Sequence, residues 1–426
     1  MEHDEERQSV TDKQIFTLQD AAKVAGPAGF MTMLKPAGSA CNLDCTYCYY
    51  LDKAVQYGGR EALMSLPLLE EYIRQYIEAN EVDTVTFCWH GGEPTLVGLD
   101  YYRKAVEFQR KYAGGKQIEN TIQTNGTMID EAWCRFFAEN RFLVGLSLDG
   151  PRDIHDAFRR TKGRGPTFDR VMQTVRLFRR HGVEYNTLSV VNRKCEGRGG
   201  EIYRFFRDVV KSRYMQFLPA VEHTVRRPGL ARPLIVSPSE EGAALAPWSV
   251  SAGGYGKFLC DIFDIWVRND VGKTYVQIFD ATLAQWCGLP PGVCALAETC
   301  GDALVVEHNG DVYSCDHFVY PENLLGNIRE TSLKSIYDSG KRLRFGLEKR
   351  NALPAECLAC KYFFACHGEC PKHRFDTGAD GCRKNTLCEG LKMFFQHAEP
   401  YMDFMKKCLA NDQAPAWVMQ FAREHR

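Results

Sequence analysis

No stretch of this 426-residue chain strings together the ~18 apolar residues that a membrane-spanning helix needs, so no membrane association is expected. The N-terminal Met1-Glu-His-Asp-Glu-Glu-Arg7 has neither the basic nor the apolar block of an export signal. Charge of neither sign dominates: 53 Lys and Arg face 54 Asp and Glu, for a net charge of −1 and a pI of about 6.8, which excludes the basic footprint of a nucleic-acid binder. There is no low-complexity tract, and His90, His308, His317 and His367 form no paired-histidine metal pattern. With 45% apolar and 25% charged residues, the chain reads as a soluble globular protein, large enough for more than one domain.

Cysteine, by contrast, is plentiful, at 18 residues. Without an export signal the chain is expected in a reducing cytoplasm, where clustered cysteines hold metal rather than disulfides. Cys41, Cys45 and Cys48 form a CxxxCxxC run followed by Tyr49 and Tyr50. Three thiolates at this spacing can grip one corner of a 4Fe–4S cubane and leave its fourth iron open for chemistry. A structural zinc site would want a fourth ligand close by, and none follows.

From residue 30 onward, short apolar segments alternate with amphipathic ones. Strands are expected at 31–34, 84–89, 120–124, 143–148, 185–191 and 214–218, and helices at 66–79, 99–112, 130–139, 167–181 and 201–210. Repeats of roughly thirty residues with strands rich in Val, Ile, Leu and Phe predict parallel βα units. The expected fold is therefore α/β: a partial (β/α)6 barrel with a cysteine-rich module behind it. The expected divisions are a polar N-terminal extension over 1–26, the barrel over 27–223, a Pro-, Ser- and Gly-rich insertion or linker over 224–256, a bridging region over 257–293 (helix at 258–267, strand at 275–279), the module over 294–390 and a C-terminal helix within 391–426.

Function in such barrels gathers at the C-terminal ends of the strands. Gly91-Gly92-Glu93-Pro94 follows the second strand there, where glycine lets backbone approach a ligand and Glu93 can accept from an ammonium. Asn125 and Ser147 end the next two strands, and Arg159 is placed to reach a carboxylate. Each alone is as readily a cap or turn residue. Further on, Cys294, Cys300 and Cys315 precede Cys357, Cys360, Cys366 and Cys370, with Cys382 and Cys388 last. Eight of these suffice for two four-ligand sites, of zinc or of iron and sulfur. Asp316 stands beside Cys315 as a candidate general base. Cys88, Cys134, Cys195, Cys260, Cys287, Cys382 and Cys408 read as structural or incidental thiols.

Taken together, CxxxCxxC, GGEP and the terminal cysteine module resemble the radical S-adenosylmethionine (SAM) superfamily, in the subset with a SPASM auxiliary-cluster domain. Lys35-Pro36, Gly92-Glu-Pro-Thr-Leu96, Gln123-Thr-Asn-Gly-Thr127, Phe142-Leu-Val-Gly-Leu-Ser147 and Val312-Tyr-Ser-Cys-Asp316 resemble, more narrowly, the anaerobic sulfatase-maturating enzymes, over about residues 30 to 395.

The resemblance implies three 4Fe–4S clusters and SAM as cofactors. Cys41, Cys45 and Cys48 would hold the SAM-binding cluster. Tyr47, Gly92, Ser147, Arg159 and the backbone of Val221 would contact SAM. Cys294, Cys300, Cys315 and Cys370 would ligate the first auxiliary cluster, and Cys357, Cys360, Cys366 and Cys388 the second, with Asp316 as base. The implied reaction is oxidation of a cysteine or serine in an unfolded or nascent sulfatase to Cα-formylglycine, by a cytoplasmic monomer served by flavodoxin or ferredoxin. His90, where some relatives have glutamine, and the extra thiol Cys382 depart from the pattern. The alternatives are another SPASM peptide modifier, forming thioether or carbon–carbon crosslinks, and a zinc-stapled binding protein.

Overall fold

The computed structural model describes residues 29–50, 53, 63–228, 233–236 and 240–424. The extension expected over 1–26 lies outside the described residues. Six parallel strands form the frame: β1 (Met31–Lys35), β2 (Thr84–Trp89), β3 (Gln117–Thr124), β4 (Phe142–Ser147), β5 (Tyr185–Val191) and β6 (Tyr214–Pro219). Their alternation has a physical meaning. In β2, Val85, Phe87 and Trp89 are buried against the outer helices, while Thr86 and Cys88 face the other way. In β4 nearly every position is buried, as for a strand covered on both faces.

The helices obey their own period. Helix Leu66–Ala79 buries Leu68, Leu69, Tyr72, Ile73, Tyr76 and Ile77, one face at three- and four-residue spacing. It stops at Asn80, whose side chain accepts from Phe30 N (2.9 Å) and donates to Tyr76 O (2.9 Å), tying the helix end to the start of β1. Helix Glu131–Glu139 is capped by Asp130, which accepts from Ala132 N and Trp133 N; such a cap is worth ~1 kcal/mol. Helix Phe168–His181 ends on Gly182 in the left-handed region, with Arg179, Arg180 and His181 in its last turn.

Beyond β6 the chain departs from expectation in three places. The segment expected as a linker over 224–256 carries a small antiparallel sheet, β7 (His223–Val225), β8 (Leu234–Ile235) and β9 (Ala244–Leu245), and helix Ala252–Asn269 begins inside it. Its prolines do not prevent this, because the strands are two or three residues long and lie between them. The strand expected at 275–279 is only β10 (Tyr275–Val276); helix Gln277–Trp286 takes over, burying Phe279, Ala281, Thr282 and Trp286 at helical spacing. The closing helix, Cys388–Ala410, starts on a candidate ligand cysteine.

The cysteine-rich part is joined to the barrel by backbone pairing. Strand β11 (Ala303–Glu307) lies parallel to β1 over its whole length, and β12 (Asp311–Tyr313) and β13 (Leu324–Asn327) continue antiparallel. Among the described residues one ten-stranded sheet results, in the order β10-β6-β5-β4-β3-β2-β1-β11-β12-β13. This pairing brings Asp316, just past β12, to the rim where β1 ends.

Candidate active site

The ends of β1 to β6 share one rim, and the CxxxCxxC loop covers it. The loop is pinned on one side by Asp44 N to Arg160 O (2.8 Å) and Thr46 N to Phe158 O (3.1 Å). On the other side Gly92 N donates to Gly38 O and Glu93 N to Ala40 O, both at 2.8 Å. Gly92 is required by this approach: a Cβ there would stand 2.1 Å from Ala40 O. The carboxylate of Glu93 also has a structural task, and its Oε2, which accepts one bond, keeps room for another donor. The carboxylate accepts from Thr95 N (3.1 Å), Thr95 Oγ1 (2.5 Å), Thr124 Oγ1 (2.7 Å) and Asn125 N (2.8 Å), and so braces β2 against β3.

The loop brings Cys41, Cys45 and Cys48 within electrostatic reach of one another. Burial pushes the Cys41 thiol up to about 12 and Cys45 higher still. Such thiols surrender their protons only to a positive centre. Leu43 N (3.4 Å) and Asn125 Nδ2 (3.8 Å) point at the Cys41 sulfur.

Beside the loop is a buried triad that the sequence reading missed. Asp149 accepts from Arg159 Nε (3.0 Å), Val190 N (3.1 Å) and the Tyr47 hydroxyl. Burial works against the Arg159 charge, and Asp149, Tyr47 and Cys45 outweigh it, so the guanidinium is firmly cationic. Arg159 thus reaches its carboxylate inside the protein. Ser147 Oγ accepts from Gln123 Nε2 (2.9 Å), which leaves the hydroxyl proton to donate elsewhere. Val221 is fully buried just past β6.

Asp316 lies buried over the same rim. One oxygen is ion-paired with Lys35, a fully buried lysine at the end of β1, and the other accepts from the Tyr49 hydroxyl. Burial favours the neutral acid, but the Lys35 ammonium prevails and holds the carboxyl far below its ordinary range. Lys35 also sits 3.4 Å from the centre of the Tyr50 ring. His90 Nδ1 accepts from Gly91 N (2.8 Å), so Nε2 carries the ring proton; burial and Lys35 lower its pKa to about 4, and the ring is a neutral donor.

The remaining cysteines sort into two groups. Cys294, Cys300, Cys315 and Cys370 lie within mutual electrostatic reach. Cys357, Cys360, Cys366 and Cys388 do likewise and line one cavity together with Tyr362, Phe363 and Phe395. Cys382 sits in a hairpin turn, its N–H bonded to Asp380 (3.0 Å). Among the described residues, no three His, Cys, Asp or Glu side chains converge as ligands of a single ion. All-thiol quartets, the second of them around a cavity with aromatic walls, fit iron–sulfur cubanes, whose ligands stand at separate corners.

Residues 36–193 match the model of the radical SAM superfamily, and residues 294–361 that of SPASM, an iron-sulfur cluster-binding domain. Over 394 residues the chain is 48% identical to the serine-type anaerobic sulfatase-maturating enzyme of Bacteroides thetaiotaomicron, covering 92% of this chain and 95% of that one. The chain belongs to the anaerobic sulfatase-maturating enzymes. A cysteine-type relative from Clostridium perfringens is 33% identical over 373 residues, 86% of this chain and 96% of its own. The solved structure of native anSMEcpe with bound AdoMet superposes with a TM-score of 0.77 at 31% identity, covering 89% of this chain and all of that one. The same protein with AdoMet and the Kp18Cys peptide gives 0.77 as well, at 31% identity over 88% of this chain and 99% of that chain.

In this sulfatase-maturating enzyme a second buried ion pair crosses from the barrel to the SPASM part. Lys372 Nζ stands 2.6 Å from Glu222 Oε1, and 4.2 Å from the centre of the Tyr49 ring. Neither partner stands out in the sequence. Each adjoins a residue that does: Glu222 follows Val221, and Lys372 comes two positions after Cys370.

Proposed function

We propose that this enzyme oxidises a serine or cysteine side chain of a sulfatase polypeptide to Cα-formylglycine, with the site residues in the following roles. Cys41, Cys45 and Cys48 hold the cluster that binds SAM, and Tyr47, Gly92, Ser147, Arg159 and the Val221 backbone surround SAM. Cys294, Cys300, Cys315 and Cys370 hold one auxiliary cluster, and Cys357, Cys360, Cys366 and Cys388 the other. When bound, these groups supply a 5′-deoxyadenosyl radical that removes a hydrogen atom from the substrate Cβ, and a sink for one further electron.

The protein's share is positioning and proton handling. Asp149 fixes Arg159 and Tyr47 beside the cysteine loop, so SAM meets a cation already oriented. Asp316, ionised and anchored on both oxygens, takes the hydroxyl or thiol proton. His90, neutral, offers Nε2–H to the same space. Loss of a Cβ hydrogen atom, a proton and an electron turns serine into the aldehyde. Cysteine becomes a thioaldehyde, which water hydrolyses to the aldehyde with release of hydrogen sulfide.

The observation that carries this reading is Asp316: adjacent to a ligand of the first quartet, yet held over the CxxxCxxC rim by Lys35 and Tyr49. The electron source we assign is a flavodoxin or ferredoxin and the place of action the cytoplasm, where thiols stay reduced; the chain acts as a monomer. No helix of the described residues is long and apolar enough to cross a membrane. The test is anaerobic incubation of the iron-loaded protein with SAM, reductant and sulfatase-motif peptides carrying serine or cysteine. Hydrazine-reactive aldehyde is the expected product, and a crosslinked peptide or none overturns the assignment.

A further inference from the structure

Two buried cations are built against the cysteine quartets, and nothing in the proton chemistry above uses them. Lys349, on helix Gly340–Asn351, is 1% exposed. Its Nζ donates to the carbonyls of Cys294 (2.6 Å), Ala295 (2.8 Å) and Ala297. Three acceptors occupy three N–H bonds, and only an ammonium has three to give. Arg374 is 6% exposed and donates to the carbonyls of Gly368 and Glu369, each at 3.3 Å.

Their reach differs. Lys349 interacts with Cys300, Cys370 and Cys294, all of one quartet. Arg374 interacts with Cys370 and Cys300 of that quartet and with Cys357 of the other. Glu369, buried and bonded to His373 and Asn385, opposes both. Around Cys388 the other cations are Lys384 and Lys392, which lie nearer solvent and are paired with Glu356 and Glu389. Solvent screening weakens those two. Glu369 is one anion between two cations, and the excess buried positive charge is costly unless a further anion offsets it. A cubane with four thiolates is anionic, and gains one more negative charge on reduction. A fixed cation beside it therefore favours the reduced form, since net charge and surroundings set cluster potentials.

We infer that Lys349 and Arg374 raise the electron affinity of the auxiliary clusters, Lys349 that of the Cys294–Cys300–Cys315–Cys370 cluster alone and Arg374 that of both. The inference rests on the cluster assignment proposed above. The substrate radical left after hydrogen-atom removal is the donor: it gives one electron per turnover to the auxiliary clusters, held by one of them at a time, and its proton goes to Asp316. The two cations make that transfer more downhill without touching the substrate.

The test is an EPR-monitored redox titration of the full-length, iron-loaded chain carrying Cys41→Ala, Cys45→Ala and Cys48→Ala, so that the auxiliary sites alone contribute. Lys349→Gln should lower one midpoint potential and leave the other in place. Arg374→Gln should lower both, and Lys349→Arg should restore the first. Because Lys349 also ties down the 294–297 loop, Arg374→Gln carries the test if Lys349→Gln fails to load. Iron is counted first. A parent protein without iron overturns the cluster assignment, and loaded clusters with unmoved potentials overturn the role of the two cations alone.

Discussion

Replacing Lys35 by methionine keeps the stem of the side chain and removes the charge that holds Asp316. Both partners are deeply buried. Taking away one member of such a pair leaves an uncompensated charge that costs ~3–5 kcal/mol. The carboxyl can avoid part of that cost by binding a proton, because burial, no longer countered by Lys35, pushes its pKa up. Lys53, held down at about 7 by burial and by the neighbouring Lys372 and Lys35, regains some charge in the variant and sets the lower end of the range.

The signs of the pH dependence are opposite in the two proteins. In the wild type the folded pKa of Asp316 is depressed, so its contribution is complete at neutral pH and is lost only as the pH falls through the carboxylate range. In Lys35→Met the folded pKa is raised, so stability falls as the pH rises from the free carboxylate range up to that value. The fall is ~1.4 kcal/mol per pH unit until the cost of the unpaired charge is reached. Anaerobic guanidinium unfolding at pH 4, 5 and 6, below the pH at which ~3–5 kcal/mol is reached, reads this directly: the variant should weaken relative to the wild type at each step, level off at higher pH, and form no aldehyde at pH 7. Parallel stability profiles for the two proteins would refute the Lys35–Asp316 reasoning.

Other consequences are simpler. Lys372→Met and Glu222→Gln should each cost ~3–5 kcal/mol in chemical unfolding, as one buried charge is left alone, whereas Lys372→Met with Glu222→Leu should recover most of the loss. Gly92→Ala pushes a methyl group against Ala40 O, so it should destabilise by ~1–3 kcal/mol and abolish SAM cleavage even where iron is retained. Cys388→Ala should lose iron from its site, and Cys382→Ala should leave the iron count of the chain unchanged.

The barrel was legible because its strands are buried on both faces and its helices keep one apolar stripe; both patterns are local. The three cysteine groups were legible for a related reason: ligand types are few, and the resemblance paired Cys370 with residues far upstream. What the sequence hid is what depends on long-range geometry. Lys35 and Asp316 are 281 positions apart and meet because β11 pairs with β1. Asp149 looked like one member of an Asp-Gly-Pro turn, and its partners Tyr47 and Val190 lie on other elements. The bracing role of Glu93 was also hidden, because its donors Thr124 and Asn125 lie some thirty positions away. At 277 a β-rich run, Tyr-Val-Gln-Ile-Phe, is overridden by the packing of Phe279 and Trp286 in helix Gln277–Trp286.

Asp316 as the proton acceptor is the central chemical claim. Asp316→Asn keeps the shape of the side chain and its contact with Tyr49 while removing its basicity. The decisive measurement is the ratio of aldehyde formed to SAM cleaved by iron-loaded Asp316→Asn acting on a serine peptide. The prediction is an iron content and SAM cleavage near those of the wild type, with aldehyde reduced by ~10²-fold or more. Aldehyde formed in step with SAM cleavage, at the wild-type ratio, would contradict it.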